Sequence, residues 1–311
     1  MERTPLKIGT RNGELALRQT ELALEALRRH TPGLDASILT ISTAGDRRTD
    51  LPLNEVNRAT GTEDKGVFIA ALEEALAKGE IDCAVHSLKD MPGTLDERFE
   101  IAAVLPRESI WDALILKAGA DREHLTIGTS SVRRAQLIRS YWSGTAHAVS
   151  IRGNVTTRLQ KLVQTSELDG LILARAGLNR LGYTGDTLEV DGTTLHVVDL
   201  SRDSFMPALC QGAIALEIRK GDEAARALIA PVNDPVTSLC IRAERAFLAA
   251  LKADCSVPVC GYATCTDDFM MFRAIYFTPE GTPHRITLRG SASDPEAIGR
   301  QAFDQLRQHL A

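Results

Sequence analysis

The sequence predicts an α/β protein that closes with a smaller α+β region, and three observations carry that prediction. Short apolar runs alternate with helical patterns from Leu6 to about Leu181. Several of these runs end in Gly, Ser, Thr or Arg, residue types that suit the entry to a helix N-terminus. From about Arg226 the order changes to helix, strands, helix. Repeated strand–helix units imply parallel sheets whose ligands sit beyond the strand ends.

Taken in order, Leu6–Thr10 reads as a strand and Leu15–Leu27 as a helix, because Leu15, Leu22 and Ala26 or Leu27 recur at helical steps. Ala36–Ser42 alternates as a second strand, and Phe68–Ala77 is helical until Gly79 stops it. Cys83-Ala84-Val85 is a short buried strand that delivers His86-Ser87-Leu88-Lys89-Asp90 into a loop closed by Pro92. Ala113–Leu116 is the next strand. Thr126–Ser131 leads into a helix from about Val132, and Ala148–Ile151 passes through Arg152-Gly153-Asn154 into a helix holding Arg158 and Leu162. Gly170–Ala174 repeats the arrangement before Ala176–Leu181. At the end come a helix over Val236–Leu251, strands over Phe269–Phe277 and Arg285–Arg289, and a last helix over Pro295–Leu310.

The chain has 311 residues, 44% apolar and 25% charged, enough for two or three domains and a cleft between them. Aromatic residues make up only 5% and the formal net charge is -5, so neither an aromatic stacking platform nor a general nucleic-acid binder is expected. Six cysteines without a CxxC pair argue against a zinc ribbon or iron–sulfur site and read as free thiols; no metal is expected. Without an apolar leader or a long apolar span, a cytoplasmic protein is expected, and a mature organellar protein would look the same.

Arg11, Lys89, Arg133, Arg134, Arg152 and Arg158 are scattered in sequence but recur at strand ends or in first helical turns. Guanidinium forks converging there suit a ligand with many carboxylates, whereas each alone also reads as a solvated charge or half of an ion pair. Asp90, just past a buried strand, can stabilise a cation or exchange a proton with an amine, or it can be a turn-forming residue before Met91-Pro92. His86 reads as a structural histidine ending a strand. Cys255, after a helix and before Pro258, could present a loop thiolate, while Cys83, Cys210, Cys240, Cys260 and Cys265 read as small buried hydrophobes. HExxH, Walker, GxGxxG and GxSxG patterns are missing from the sequence.

Several segments occur in an order that resembles the porphobilinogen deaminase (hydroxymethylbilane synthase) family through nearly the whole chain. They include Asp64-Lys65-Gly66-Val67-Phe68, Val85-His86-Ser87-Leu88-Lys89-Asp90-Met91-Pro92, Gly128-Thr129-Ser130-Ser131-Val132-Arg133-Arg134, Arg152-Gly153-Asn154-Val155-Thr156-Thr157-Arg158 and Cys255-Ser256-Val257-Pro258. The resemblance implies two periplasmic-binding-protein-like domains, 1–105 with 205–224 and 106–204, and a smaller α+β C-terminal domain, 225–311. It also implies a dipyrromethane cofactor joined to Cys255 by a thioether. The implied activity is transfer of methylene-pyrrole units from porphobilinogen, four in all, with loss of ammonia and release of linear hydroxymethylbilane in tetrapyrrole biosynthesis.

By the same resemblance Asp90 is the catalytic carboxylate, and Lys89, Ser131, Arg133, Arg134, Arg152 and Arg158 surround the cofactor. Arg11, Gly13, Lys65 and Arg180 stand at substrate-binding positions, in a monomer whose product passes to a uroporphyrinogen-forming enzyme. The family commonly has Ser at Gly13, Arg at Ala44, glycines at Thr62-Glu63-Asp64 and Gly-Gly at Ala253-Asp254. These departures bear on loop geometry and rate, and they leave open a paralogue with altered pyrrole-chain chemistry, a non-catalytic polyanion-binding module, or a scaffold without turnover.

Overall fold

The computed structural model describes residues 5–42, 67–121, 123–142, 145–200, 204–252 and 257–310. In chain order the elements begin β1 (Leu6–Arg11), α1 (Glu14–His30), β2 (Ala36–Ile41), α2 (Val67–Ala77), β3 (Cys83–Ser87), β4 (Phe99–Val104) and β5 (Asp112–Lys117). There follow β6 (Leu125–Gly128), α3 (Val132–Tyr141), β7 (Ala146–Val149), α4 (Val155–Gln164), β8 (Gly170–Ala174), α5 (Arg175–Arg180), β9 (Thr187–Val190) and β10 (Thr193–Asp199). The last are β11 (Ile214–Arg219), α6 (Glu223–Ile229), α7 (Pro235–Leu251), β12 (Val259–Thr266), β13 (Phe269–Phe277), β14 (Pro283–Ser291) and α8 (Pro295–Leu310). They fall into two compact units, Met1–Arg107 with Ala213–Ile241, and Glu108–Gly212 with Arg242–Ala311.

The first unit is built on a five-stranded sheet of order β2-β1-β3-β11-β4. Helix α1 begins with Glu14 and ends with Arg28, Arg29 and His30, charges that complement its dipole. Its buried Ala23 and Leu27 pack with Leu6, Ile8, Val85, Leu216 and Ile218 on one side of the sheet. Leu72 and Leu76 of α2 pack with Ile81, Ala84 and Phe99. An inner strand covered on both faces needs a continuous apolar run, and Cys83-Ala84-Val85 meets that need.

The second unit holds a six-stranded sheet, β7-β6-β8-β5-β10-β9, and a three-stranded antiparallel sheet, β12-β13-β14. Leu114, Ile127, Leu137 and Phe205 share one core with Cys260, Ile275 and Phe277 of the smaller sheet. Helix α8 packs on β14 and β13.

The strand–helix repeats produce parallel neighbours, β1 with β2 and β3, and β6 with β7 and β8. The sheets are nevertheless mixed. β5 runs antiparallel to β8 and β10, and β11 antiparallel to β3 and β4, because no crossover helix ties these strands to a parallel neighbour. Strands β4 and β11 escape an apolar-run reading because Glu100 and Glu217 interrupt them. The expected Cys83–Val85 strand runs on to Ser87, and Leu88–Asp90 forms a 3-10 turn. Among the described residues no helix is long and apolar enough to cross a membrane.

Candidate active site

In the first unit, β1 and β3 are parallel neighbours with Ile8 opposite Cys83, so Arg11 and Ser87 finish at the same edge of the sheet. The Leu88–Asp90 turn stands on that edge. Leu88 and Met91 are buried, and the Leu88 N–H donates to the Ala213 carbonyl at 3.0 Å while the Met91 N–H donates to that of Leu88 at 3.1 Å. Two buried apolar residues three apart thus pin the turn and leave Lys89 half-buried and Asp90 exposed. Below it, Ser87 accepts from Nε2 of the buried Gln19 at 2.8 Å and donates to its Oε1 at 2.9 Å. His86 Nε2 lies 2.9 Å from Glu217 Oε2, both side chains being buried. Glu217 Oε1 has no hydrogen-bond partner among the described residues, an arrangement that costs about 1–3 kcal/mol.

Gly13 precedes α1 with φ +143°, a conformation that a residue with a side chain rarely adopts, and its carbonyl accepts from Leu17 N–H at 2.9 Å. The glycine that replaces the family's usual serine is therefore matched to the local backbone. Arg11 is half-buried.

In the second unit, β6 and β7 are adjacent parallel strands, so the N-termini of α3 and α4 open at the same edge. The Ser131 hydroxyl caps α3 by accepting from Arg134 N–H at 3.4 Å, and the Asn154 side chain caps α4 by accepting from Thr157 N–H at 2.7 Å. Ser130 Oγ donates to the Ile151 carbonyl and so ties the two entry loops together. Arg152 and Arg158 are half-buried at the second entry, where Arg158 Nε donates to the Asn154 carbonyl at 3.3 Å. Gly153 has φ +124°, and a Cβ there would lie 2.9 Å from Thr157 Cγ2. A side chain would crowd the first turn of α4.

Arg133 and Arg134 lie deeper than Arg152. Their guanidinium groups donate to the two oxygens of the fully buried Asp112, each at 2.7 Å, and to the carbonyls of Met206 at 2.6 Å and Ile172 at 3.0 Å. Gln211 Nε2 adds a bond to Asp112 Oδ1 at 2.9 Å. Burial pushes the Asp112 carboxyl upward, but the two guanidiniums outweigh it and hold the group well below the usual carboxylate range. Two cations and one anion leave this cluster with net positive charge behind the α3 N-terminus. Arg180 donates to the Gly212 carbonyl at 2.6 Å, and burial lowers its pKa to about 10 against the opposing pull of Glu108.

Cys83, Cys210, Cys240 and Cys260 are buried as expected, whereas Cys265 is half-exposed. Burial pushes the Cys83 thiol up and the Cys260 thiol to about 12, which leaves both unreactive near neutrality. Cys255 and Lys65 lie outside the described residues, as do Ala44, Thr62–Asp64 and Ala253-Asp254.

Sequence reasoning missed Asp112, Gln19 and Glu217. A charged residue heading the apolar run Ala113–Leu116, and a glutamate inside Ile214–Ile218, were the signals available. A buried charge in an apolar run calls for a partner, but sequence does not name it.

Residues 6–227 match the family model described as porphobilinogen deaminase, dipyromethane cofactor binding domain, and residues 238–308 match the porphobilinogen deaminase C-terminal domain. A porphobilinogen deaminase from Roseiflexus sp. (strain RS-1) is 39% identical over 305 residues, covering 97% of this chain and 95% of that protein. One from Moorella thermoacetica is 40% identical over 307 residues, covering 97% and 92%. Among solved structures, a substrate-binding domain of an amino acid ABC transporter from Streptococcus pneumoniae aligns with a TM-score of 0.42 at 12% identity. It covers 74% of this chain and 91% of its own.

Proposed function

We propose residue roles from one premise, that this chain belongs to the porphobilinogen deaminase family. It is a transferase that joins four porphobilinogen molecules head to tail, releases ammonia, and forms linear hydroxymethylbilane on a dipyrromethane primer. The donor set fits such a primer, since pyrroles bearing acetate and propionate need carboxylate receptors. Two capped helix N-termini at one sheet edge, with Ser131, Arg152 and Arg158 beside them, are of that kind. When bound, dipyrromethane supplies the free pyrrole carbon to which the incoming unit is joined.

Asp90 is the reacting carboxylate. The observation that carries this role is its exposure on a turn whose flanking residues, Leu88 and Met91, are buried and bonded. A carboxylate held this way keeps its position and stands at the surface. The substrate amine leaves as ammonia once protonated, and the departing electron pair leaves positive charge spread over the pyrrole. Asp90 stabilises that charge where it develops and then accepts the ring proton displaced by the new carbon–carbon bond. Lys89, Arg11, Arg152, Arg158 and Arg180 hold carboxylates, with Gly13 and Lys65 shaping the substrate side. Arg133 and Arg134, already bonded to Asp112, favour the cofactor's anionic groups through their field.

Cys255 is the attachment point, and the thiol chemistry of Cys83 and Cys260 supports it by removing two competitors. The three-domain division 1–105 with 205–224, 106–204 and 225–311 gives each of the three sheets its own domain, the second and third sharing a core. The protein acts as a cytoplasmic monomer whose linear product passes to a uroporphyrinogen-forming enzyme. Ammonia release from porphobilinogen, combined with intact mass of the isolated protein, tests the reading. One dipyrromethane on the wild type and none on Cys255→Ser are expected. A polyanion-binding module would release no ammonia.

A further inference from the structure

We infer that the buried His86–Glu217 pair is a positioning device for the Asp90 turn. The inference rests on the role of Asp90 proposed above. β3 runs straight into that turn, so a displacement of the strand at His86 is carried to Asp90 four residues later. The β3–β11 register extends from Ala84 opposite Glu217 to Ser87 opposite Ile214, which places the His86–Glu217 bond diagonally across the last pairs before the turn. A diagonal hydrogen bond fixes how far one strand can slide along the other, where an apolar contact tolerates sliding.

Glu217 is fully buried and His86 is 5% exposed, so neither is placed to meet substrate and both act through Asp90. The chemistry of the pair points the same way. An apolar pair would fill this space without burying a carboxylate oxygen that lacks a donor, so the polar pair is less favourable for stability alone. What it adds is direction. The other ties on this stretch, Ser87 with Gln19 and Leu88 N–H with the Ala213 carbonyl, restrain the strand end from α1 and from the residue before β11. The His86–Glu217 bond adds the restraint from β11 itself.

Glu217→Gln and His86→Gln keep the size of each group and weaken the bond between them. Both are measured as cofactor-loaded holoenzymes beside the wild type and Asp90→Asn, with rates expressed per loaded molecule. In each of the first two, kcat is expected to fall about ten- to a hundredfold, because a misplacement of ~1 Å is worth up to roughly a hundredfold. KM for porphobilinogen should stay within about twofold, since the groups that hold carboxylates are untouched, and the double variant should be no slower than the worse single one. Unchanged kcat in both variants overturns the inference. So does a kcat loss matched by an equal change in KM, or failure of both to fold with cofactor, which would assign the pair to the sheet alone. Full activity in Asp90→Asn, or no ammonia from the wild type, would instead defeat the role given to Asp90.

Discussion

Asp112 and Asp90 are both aspartates with basic residues close by, and their surroundings have opposite consequences. Asp112 is fully buried at the head of β5, and its oxygens are taken by Arg133, Arg134 and Gln211. Asp90 stands exposed on a short turn, with the apolar anchors on either side of it inside the protein. The first carboxylate is bonded on all sides and serves stability. The second is held by its backbone, which leaves its oxygens available to a ligand. Basic neighbours, in sequence for Asp90 and in space for Asp112, thus mark both kinds of site, and the depth of the carboxylate separates them.

The sharpest way to break the comparison is to remove charge from each aspartate in turn. Asp112→Asn leaves two buried guanidiniums without their anion and should cost about 3–5 kcal/mol of stability in a denaturant titration. That loss should depend on pH with a definite sign. The Asp112 carboxyl is depressed in the folded protein, so its contribution is fully present above the unfolded value near ~3.9 and disappears as pH falls through the lower folded value. The gap between wild type and Asp112→Asn should therefore be constant above about pH 4 and narrow only in stronger acid. Asp90→Asn should do the reverse, leaving stability within about 0.5 kcal/mol while slowing ammonia release by roughly 10²–10³-fold in cofactor-loaded protein. An Asp90→Asn protein that is destabilised yet fully active would erase the distinction.

A smaller contrast separates the arginines. Arg133→Leu should lower stability, because it takes from Asp112 one of its two guanidinium partners, whereas Arg152→Leu should leave stability nearly unchanged and raise KM about tenfold, ~1.4 kcal/mol. Steady-state kinetics and thermal melts on both variants read this out. The smallest effects belong to the helix caps. Asn154→Ala, which loses a bond of 2.7 Å, should cost about 1 kcal/mol, and Ser131→Ala, which loses one of 3.4 Å, about 0.5 kcal/mol.

Periodicity made α1, α2, α7 and α8 legible, because each combines an apolar face with a clear stop or cap. The strands that deliver Asp90, Ser131 and Arg152 were legible as short apolar runs ending in turn residues. The antiparallel direction of β5 was not, since apolar pattern says nothing of strand direction, and β11 was not because Glu217 interrupts its apolar run. The exposure of Asp90 is set by Leu88 and Met91, the apolar residues of its own turn. The depth of Arg133 and Arg134 does not follow from their neighbours. It depends on Asp112, some twenty residues upstream, and on Met206 and Ile172, which only the folded sheet brings together.

The position of β11 between β3 and β4 also orders events during synthesis. The chain emerges from the ribosome with β1, β2, β3 and β4 first, yet among the described residues β4 pairs in this sheet with β11 alone. The first sheet can close only after the ribosome has delivered residues up to Arg219, and by then all of Glu108–Gly212 has emerged. Until that moment β3 and β4 present open edges, the kind of surface on which nascent chains aggregate. The Asp90 turn waits as well, because Ala213 and Glu217 come with the late strand. A chain truncated before Ala213 would carry every residue of the turn and still lack the strand that sets it in place.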